Sequence, residues 1–299
     1  MKILVTGSTG LIGSALIPAL ESKGHQIVRL VRSAPQNKET EIFWDPEKGT
    51  LNADELEGID AAVHLAGENL ADGRWTEEKK RRIRESRVKG TRLLSEALAK
   101  LKRKPQVLVS ASAVGFYGNR GDEILTEQSA SGADFVAEVC REWELATQPA
   151  ALVGVRVVNL RFGVIFASEG GALKKMLFPF KMGVGGKLGS GQQYMSWITI
   201  DDAVGVIEFA LENEKLRGPV NAVAPDVLTN KEFTKDLGSA LSRPTIFPIP
   251  AFMVRLAFGE MADETLLTSQ RVEPLRLKEE GYVFKYPELK SALKHVLGK

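Results

Sequence analysis

The sequence predicts an α/β protein with a doubly wound parallel sheet and a smaller C-terminal lobe. Three observations carry that expectation. Short apolar runs alternate with helix-patterned segments through the first half of the chain. A glycine turn links the first apolar run to the first helix, and beyond residue 165 the alternation yields to glycine- and proline-rich stretches. Strands connected through helices pair in parallel and are covered on both faces, so they read as continuous apolar runs.

The first strand is Ile3-Leu4-Val5, and a helix from about Leu11 to Lys23 stops at Gly24. Between them lies Thr6-Gly7-Ser8-Thr9-Gly10-Leu11-Ile12-Gly13, with its glycines spaced G-x-x-G-x-x-G. Glycines permit a tight turn and close backbone approach, while a helix N-terminus offers unpaired N–H groups and a positive dipole to phosphate. A Rossmann-type dinucleotide site is expected at Gly7, Thr9, Gly10, Leu11, Ile12 and Gly13, against the alternative of a purely structural turn. Gln26 to Arg32 reads as the second strand. Where NAD-binding units place an acid for the ribose hydroxyls, this chain has Arg32 followed by Ser33. A guanidinium clamps a 2′-phosphate through paired N–H bonds, so the expected cofactor is NADP (NADPH). The alternative is a solvent-facing arginine that closes a strand.

Glu41 to Trp44 is a further short strand, and Asp45 after it reads as adenine-side or structural. Ala61 to Leu65 is a buried strand whose turn, His64-Leu65-Ala66-Gly67-Glu68-Asn69, lies at the carboxyl edge where ligands collect. Leu65, Ala66 and Gly67 would bring backbone close to the nicotinamide ribose, and His64 reads as a packed neutral histidine rather than a base. A charged helix spans about Thr76 to Leu101, and its Glu77–Arg82 run is a solvated face. Ile83, Arg87, Gly90, Leu94 and Leu98 share one stripe, which turns Arg87 inward. An inward arginine needs an anionic or carbonyl partner, either a cofactor phosphate or ribose or an internal carboxylate. Gln106 to Ser110, Asp134 to Ala146 and Val153 to Leu160 follow as strand, helix and strand.

Composition narrows the function classes. The chain has 299 residues, 43% hydrophobic and 26% charged, with a formal charge of +2. That balance gives no footprint for nucleic acid. One cysteine, Cys140, and three scattered histidines leave no basis for a metal centre. No signal peptide or bilayer-spanning run is present, so a cytoplasmic protein without a membrane partner is expected. The expected division is an NADP-binding domain over 1–165, its sheet completed by later segments, and a substrate-side lobe over 166–299. That lobe opens with a helix near Ala172–Lys181 and a glycine-rich run from Met182 to Gly191, and a distinct final segment starts at about 248.

Ser110-Ala-Ser-Ala-Val-Gly-Phe-Tyr-Gly118 follows the fifth strand. With the glycine turn, His64-Leu-Ala-Gly67, Leu160-Arg-Phe-Gly163 and Ser196-Trp-Ile-x-x-Asp-Asp202, it completes a motif order that resembles the extended short-chain dehydrogenase/reductases. Trp44-Asp45-Pro46, Ala66-Gly-Glu-Asn69 and Gly189-x-Gly-Gln192 narrow the resemblance to the atypical "epimerase family" branch, which carries a C-terminal domain of unknown function. The resemblance covers essentially the whole chain. It implies cofactor contacts at Ser110 and at Arg161, Gly163 and Val164 beside the nicotinamide amide, and it makes Ser112 the counterpart of the catalytic serine.

The same resemblance exposes a gap. Active relatives carry Tyr-x-x-x-Lys on a helix, with the lysine lowering the tyrosine pKa for proton exchange with the substrate oxygen. Here that helix reads Asp134-Phe-Val-Ala-Glu-Val-Cys-Arg-Glu-Trp-Glu144, and the two places hold Val136 and Cys140. Tyr286-Pro-Glu-Leu-Lys290 matches only literally, because its proline takes Tyr286 out of helical geometry. Tyr117 remains the candidate acid, against a packing role. Lys181, Lys187, Gln192 and Ser196-Trp197 correspond to where related epimerases hold a nucleotide-sugar, with core packing the better reading of Trp197, and Asn221 lies in another ligand-contacting segment. The expectation is an NADP(H)-binding, oxidoreductase- or epimerase-like protein acting on a small molecule, a nucleotide-sugar or other carbonyl compound. The alternative is a non-catalytic NADPH-binding sensor.

Overall fold

The computed structural model describes residues 1–299. Eight strands form one sheet: Lys2–Thr6 (β1), Gln26–Val31 (β2), Glu41–Asp45 (β3), Thr50–Leu51 (β4), Ala61–His64 (β5), Val107–Ala113 (β6), Arg156–Phe162 (β7) and Gly218–Ala222 (β8). Their order is β8-β7-β6-β5-β1-β2-β3-β4, parallel throughout except for the β3–β4 hairpin. The chain winds outward from β1 through β4, then returns to β1's other side and winds out again from β5. The carboxyl ends of β1 and β5 therefore mark the switch point, where the covering connections diverge and leave a crevice.

Strand periodicity divides the core between two faces. Val5, Val63, Val109 and Val158 point toward the helix Leu11–Ser22 (α1) and the helix Ile200–Glu212. Leu4, Ala62, Leu108 and Val157 point toward Leu94 and Leu98 of the helix Glu77–Lys100 (α2). The Thr76 hydroxyl caps α2 by accepting from Lys79 N, and Asp134 caps the helix Phe135–Leu145 (α3) by accepting from Ala137 N at 2.8 Å. A third apolar cluster, around Phe166, Trp197, Phe233 and Leu293, belongs to the C-terminal lobe. Trp197 is fully buried there and stacks on Phe166.

Two expectations shift. β6 runs to Ala113 rather than Ser110, because its ladder with β7 continues to the pair Ala113–Phe162. Ser110 and Ser112 thus lie within the strand. Val153–Val155 are not strand: a short helix, Gln148–Leu152, precedes them, and Gly154 turns the chain at φ +91° before β7 begins. β8 and the helix Ile200–Glu212 return from beyond residue 165 to complete the sheet layer, while Arg271–Val272 pairs with Ile124–Leu125. No helix is long and apolar enough to cross a membrane.

Candidate functional site

The crevice between β1 and β5 is floored by backbone. Gly7 adopts φ +67°, and a Cβ there would lie 2.8 Å from the Leu65 carbonyl carbon, so only glycine lets β1 turn against the end of β5. A Cβ on Gly13 would overlap the Gly7 carbonyl oxygen, which ties the first turn of α1 to the loop. Gly10 is the N-cap of α1 and supplies no side-chain cap, and no acidic residue stands in the first turn. The helix start is left to serve an outside anion through its N–H groups and dipole. Thr9 and Gly10 are exposed and Leu11 and Ile12 half-buried, with Leu11 packed toward Gly170 and Gly171 of the second lobe.

Thr6 fixes the opposite wall. Its hydroxyl accepts from Leu65 N at 3.1 Å and Ala66 N at 3.2 Å, leaving its own proton for His64 Nδ1 at 2.8 Å. The neutral imidazole therefore carries its proton on Nε2. That atom is buried without a hydrogen-bond partner, and the ring meets Trp44 edge-on at 6.0 Å. Burial pulls the His64 pKa down to about 4. His64 is a packed neutral side chain.

Cations gather around this crevice without closing on one another. Arg32 and Ser33 leave the end of β2 exposed to solvent, and Arg32 acts on Glu68 only at longer range. Glu68, in the turn after β5, binds the buried Lys79 at 2.8 Å, with Arg82 at 3.9 Å; its carboxyl is held below the ordinary range, chiefly by the Lys79 bond. Arg87 lies beside Gly67, with its guanidinium 5.1 Å above the Trp143 ring. One of its donors reaches Ile83 O, one turn back, at 3.1 Å. No carboxylate bonds it, and burial depresses its pKa. The internal-carboxylate alternative for Arg87 reduces to the longer-range attraction of Glu68, which makes no hydrogen bond to it.

The ends of β6, β7 and β8 are built in the opposite manner. Ser112, Arg161 and Asn221 are register partners across the three strands. Arg161 is 3% exposed and forks onto Glu144 of α3, Nε to Oε1 at 2.7 Å and Nη2 to Oε2 at 2.8 Å. Ser112 donates to the same Glu144 Oε1 at 2.7 Å. Arg161 Nη1 donates to the Tyr117 hydroxyl at 3.0 Å, and that hydroxyl donates to Asn221 Oδ1 at 2.6 Å. Asn221 N in turn donates to Glu127 Oε1 at 3.0 Å. The Arg161 guanidinium also stacks on Phe116 at 3.4 Å.

Two candidates are held inside the fold. Tyr117 is fully buried and donates to Asn221, and burial pushes its pKa up, which favours the packing role over that of the acid. Ser110 is sealed inside the sheet at 0% exposure, and its hydroxyl reaches only Ala111 O at 3.4 Å. The Arg161 side chain faces Glu144 and Tyr117. Gly163 answers to packing, since a Cβ would sit 2.6 Å from Ser196 O, and the neighbouring Val164 pairs in a short ladder with Trp197. Ser112 lies one residue before the end of β6, is 3% exposed, and gives its proton to Glu144.

The face of α3 where the tyrosine and lysine would stand is apolar. Val136 and Cys140 are buried with Trp75, Ile83 and Met261, and burial pushes the Cys140 thiol up to about 12. Glu264 caps this face by accepting from Val136 N at 3.1 Å. Lys181 is exposed, and Lys187 donates to Ser190 O at 3.1 Å. Glu144 is the site residue that sequence reasoning passed over. The signal was available: an arginine in a buried strand requires a carboxylate as firmly as Arg87 does.

Residues 3–222 match the NAD dependent epimerase/dehydratase family, and residues 249–296 match a domain of unknown function, DUF1731. An epimerase family protein of Mycobacterium tuberculosis is 44% identical over 291 residues, covering 97% of this chain and 96% of its own length. The crystal structure of human epimerase family protein SDR39U1 (isoform 2) with NADPH superposes with TM-score 0.91 at 35% identity, covering 100% of both chains. A nucleoside-diphosphate sugar epimerase from Corynebacterium glutamicum gives TM-score 0.84 at 40% identity, covering 100% of this chain and 58% of that one.

Proposed function

The chain belongs to the NAD dependent epimerase/dehydratase family, and from that premise we propose that it binds NADPH and does not run proton-coupled carbonyl chemistry by the serine–tyrosine–lysine route. The residues fit the cofactor. The glycine floor admits a pyrophosphate, the uncapped start of α1 faces it, and Arg32 and Arg87 hold donors with no carboxylate to receive them. Arg32 is the residue for a 2′-phosphate, and the human relative crystallised with NADPH supports that choice.

A bound NADPH would supply hydride, and a carbonyl accepting hydride needs a proton from a nearby group. The observation that carries the reading is that every candidate donor is spent. Tyr117 and Ser112 give their protons inward, and Val136 and Cys140 form a buried apolar wall. This arrangement supports an NADPH-binding sensor or regulatory protein. The test is isothermal titration with NADPH beside a turnover screen of carbonyl compounds and nucleotide-sugars. The expected result is tight NADPH binding with no turnover above the Ser112→Ala background.

A second reading keeps an enzyme. The Ser112 hydroxyl lies 2.7 Å from an ionised, arginine-held carboxylate, so it could accept a proton from a substrate hydroxyl while passing its own to Glu144. Ser112-dependent turnover in the same screen would favour this reading. For the cofactor itself, Arg32→Ala should weaken NADPH by about 1.5–3 kcal/mol, roughly ten- to a hundredfold, and leave NADH unchanged. Equal affinity of the wild type for NADH and NADPH would remove the role given to Arg32.

A further inference from the structure

Nine of the sixteen large apolar side chains that stand in solvent come from two stretches, 178–184 and 246–258. Phe178, Met182, Phe247, Phe252 and Leu256 are each 60–73% exposed. The stretches lie together: Ile249 N donates to Lys187 O at 2.9 Å, Gly189 N donates to Ile249 O at 2.8 Å, and Arg243 Nε donates to Lys181 O at 2.9 Å. The helix Ala251–Phe258 buries only Val254, so its remaining apolar side chains have no protein to cover them. A patch of this kind marks an interaction surface.

Its charge is predominantly basic, with Glu260 and Asp263 just beyond the helix held by Lys80 and Arg255. Residues 170–190 contain Lys174, Lys175, Lys181 and Lys187, residues 243–258 contain Arg243 and Arg255, and neither stretch contains an acid. Arg255 pairs with Asp263 and Lys175 with Asp72. Lys174, Lys181, Lys187 and Arg243 pair with no carboxylate and donate at most to backbone carbonyls. In a chain whose overall formal charge is +2, this is a local concentration of free cations around exposed phenylalanine, methionine and leucine.

We propose that this face docks on the surface of an anionic lipid bilayer, with the helix Ala251–Phe258 and the 178–184 turn lying in the headgroup–acyl boundary. Basic residues beside apolar ones satisfy the two attractions such a surface offers: counter-charge at the headgroups and a fluid apolar layer that requires no shape match. A two-fold dimer through the same face would set its cations against their own copies, which disfavours a second copy as the occupant. The expectation of no membrane partner rested on hydropathy along the chain. Hydropathy detects spanning segments and is blind to a patch assembled from two distant stretches.

The test is co-sedimentation of the full chain with phosphatidylcholine vesicles, with and without phosphatidylglycerol. Binding should require phosphatidylglycerol and weaken with salt. Lys174→Gln and Lys181→Gln should each reduce partitioning roughly fivefold. The double variant Phe252→Gln/Leu256→Gln should reduce it at least about tenfold. NADPH titration of every variant confirms that it is folded. Equal binding to neutral and anionic vesicles, or variants that bind as well as wild type, overturns the proposal. So does a dimer in light scattering that Phe252→Gln/Leu256→Gln dissolves, which would assign the face to a second copy.

Discussion

The carboxyl edge of the sheet has two halves that treat polar groups in opposite ways. At β1, β2 and β5 they are left open: the start of α1 has no side-chain cap, Arg32 stands in solvent, and Arg87 bonds only a carbonyl of its own helix. At β6, β7 and β8 they close on one another, from Ser112 through Glu144, Arg161, Tyr117 and Asn221 to Glu127. Both halves contain arginines on the α2–α3 side, so residue type does not separate them. The difference lies in whether a carboxylate bonds the arginine directly: Glu144 forks onto Arg161, whereas Glu68 binds Lys79 and acts on Arg32 and Arg87 only at longer range. An arginine given its carboxylate becomes framework, and one denied it waits for an outside anion.

That contrast predicts separable mutants. The largest effect belongs to the closed half. Glu144→Ala strands a buried guanidinium and should cost about 3–5 kcal/mol in urea unfolding, with NADPH affinity of the folded fraction unchanged. A loss of affinity without a loss of stability would erase the distinction between the halves.

Next comes acid sensitivity at the boundary between the two halves. His64 has a folded pKa of about 4, below its usual 6.5, so the unfolded chain takes up the proton first. Its contribution is complete above pH 6.5 and is lost as pH falls toward 4. The expected loss is about 3 kcal/mol, read by urea titrations across that range. A His64→Gln variant should show a flatter profile, and an unchanged slope in that variant would place the acid loss elsewhere.

The smallest effect on stability belongs to the open half. Arg87→Ala should leave the urea midpoint nearly unchanged, because no bonded carboxylate loses a partner. NADPH affinity should fall by about 1.5 kcal/mol or more, roughly tenfold. A large drop in stability would show that Arg87 is framework after all.

The open half was more legible in the sequence than the closed half. The glycine spacing, Arg32 at the end of β2 and the inward stripe holding Arg87 are local signals, each readable within one or two turns of chain. Tyr117 and Asn221 are 104 residues apart, and Glu144 meets Arg161 only once β7 lies beside β6 and α3 covers both. Nothing in the residues around Tyr117 announces that its hydroxyl faces inward. The end of β6 was misplaced for a related reason: strand pairing with β7, not local propensity, carries it on to Ala113.

The late arrival of β8 bears on how the chain is made. β7 ends at Phe162, but its outer neighbour, Gly218–Ala222, is encoded some sixty residues later. On a ribosome adding about 5–20 residues per second, that interval is roughly 3–12 seconds. For that time β7 is an unpaired edge of buried-type residues, and Tyr117 lacks the Asn221 that receives its proton. A nascent chain with such an edge invites pairing with its neighbours on a polysome. The last strand of the sheet is therefore made late in synthesis, and the interval before it is when a holdase chaperone would matter most.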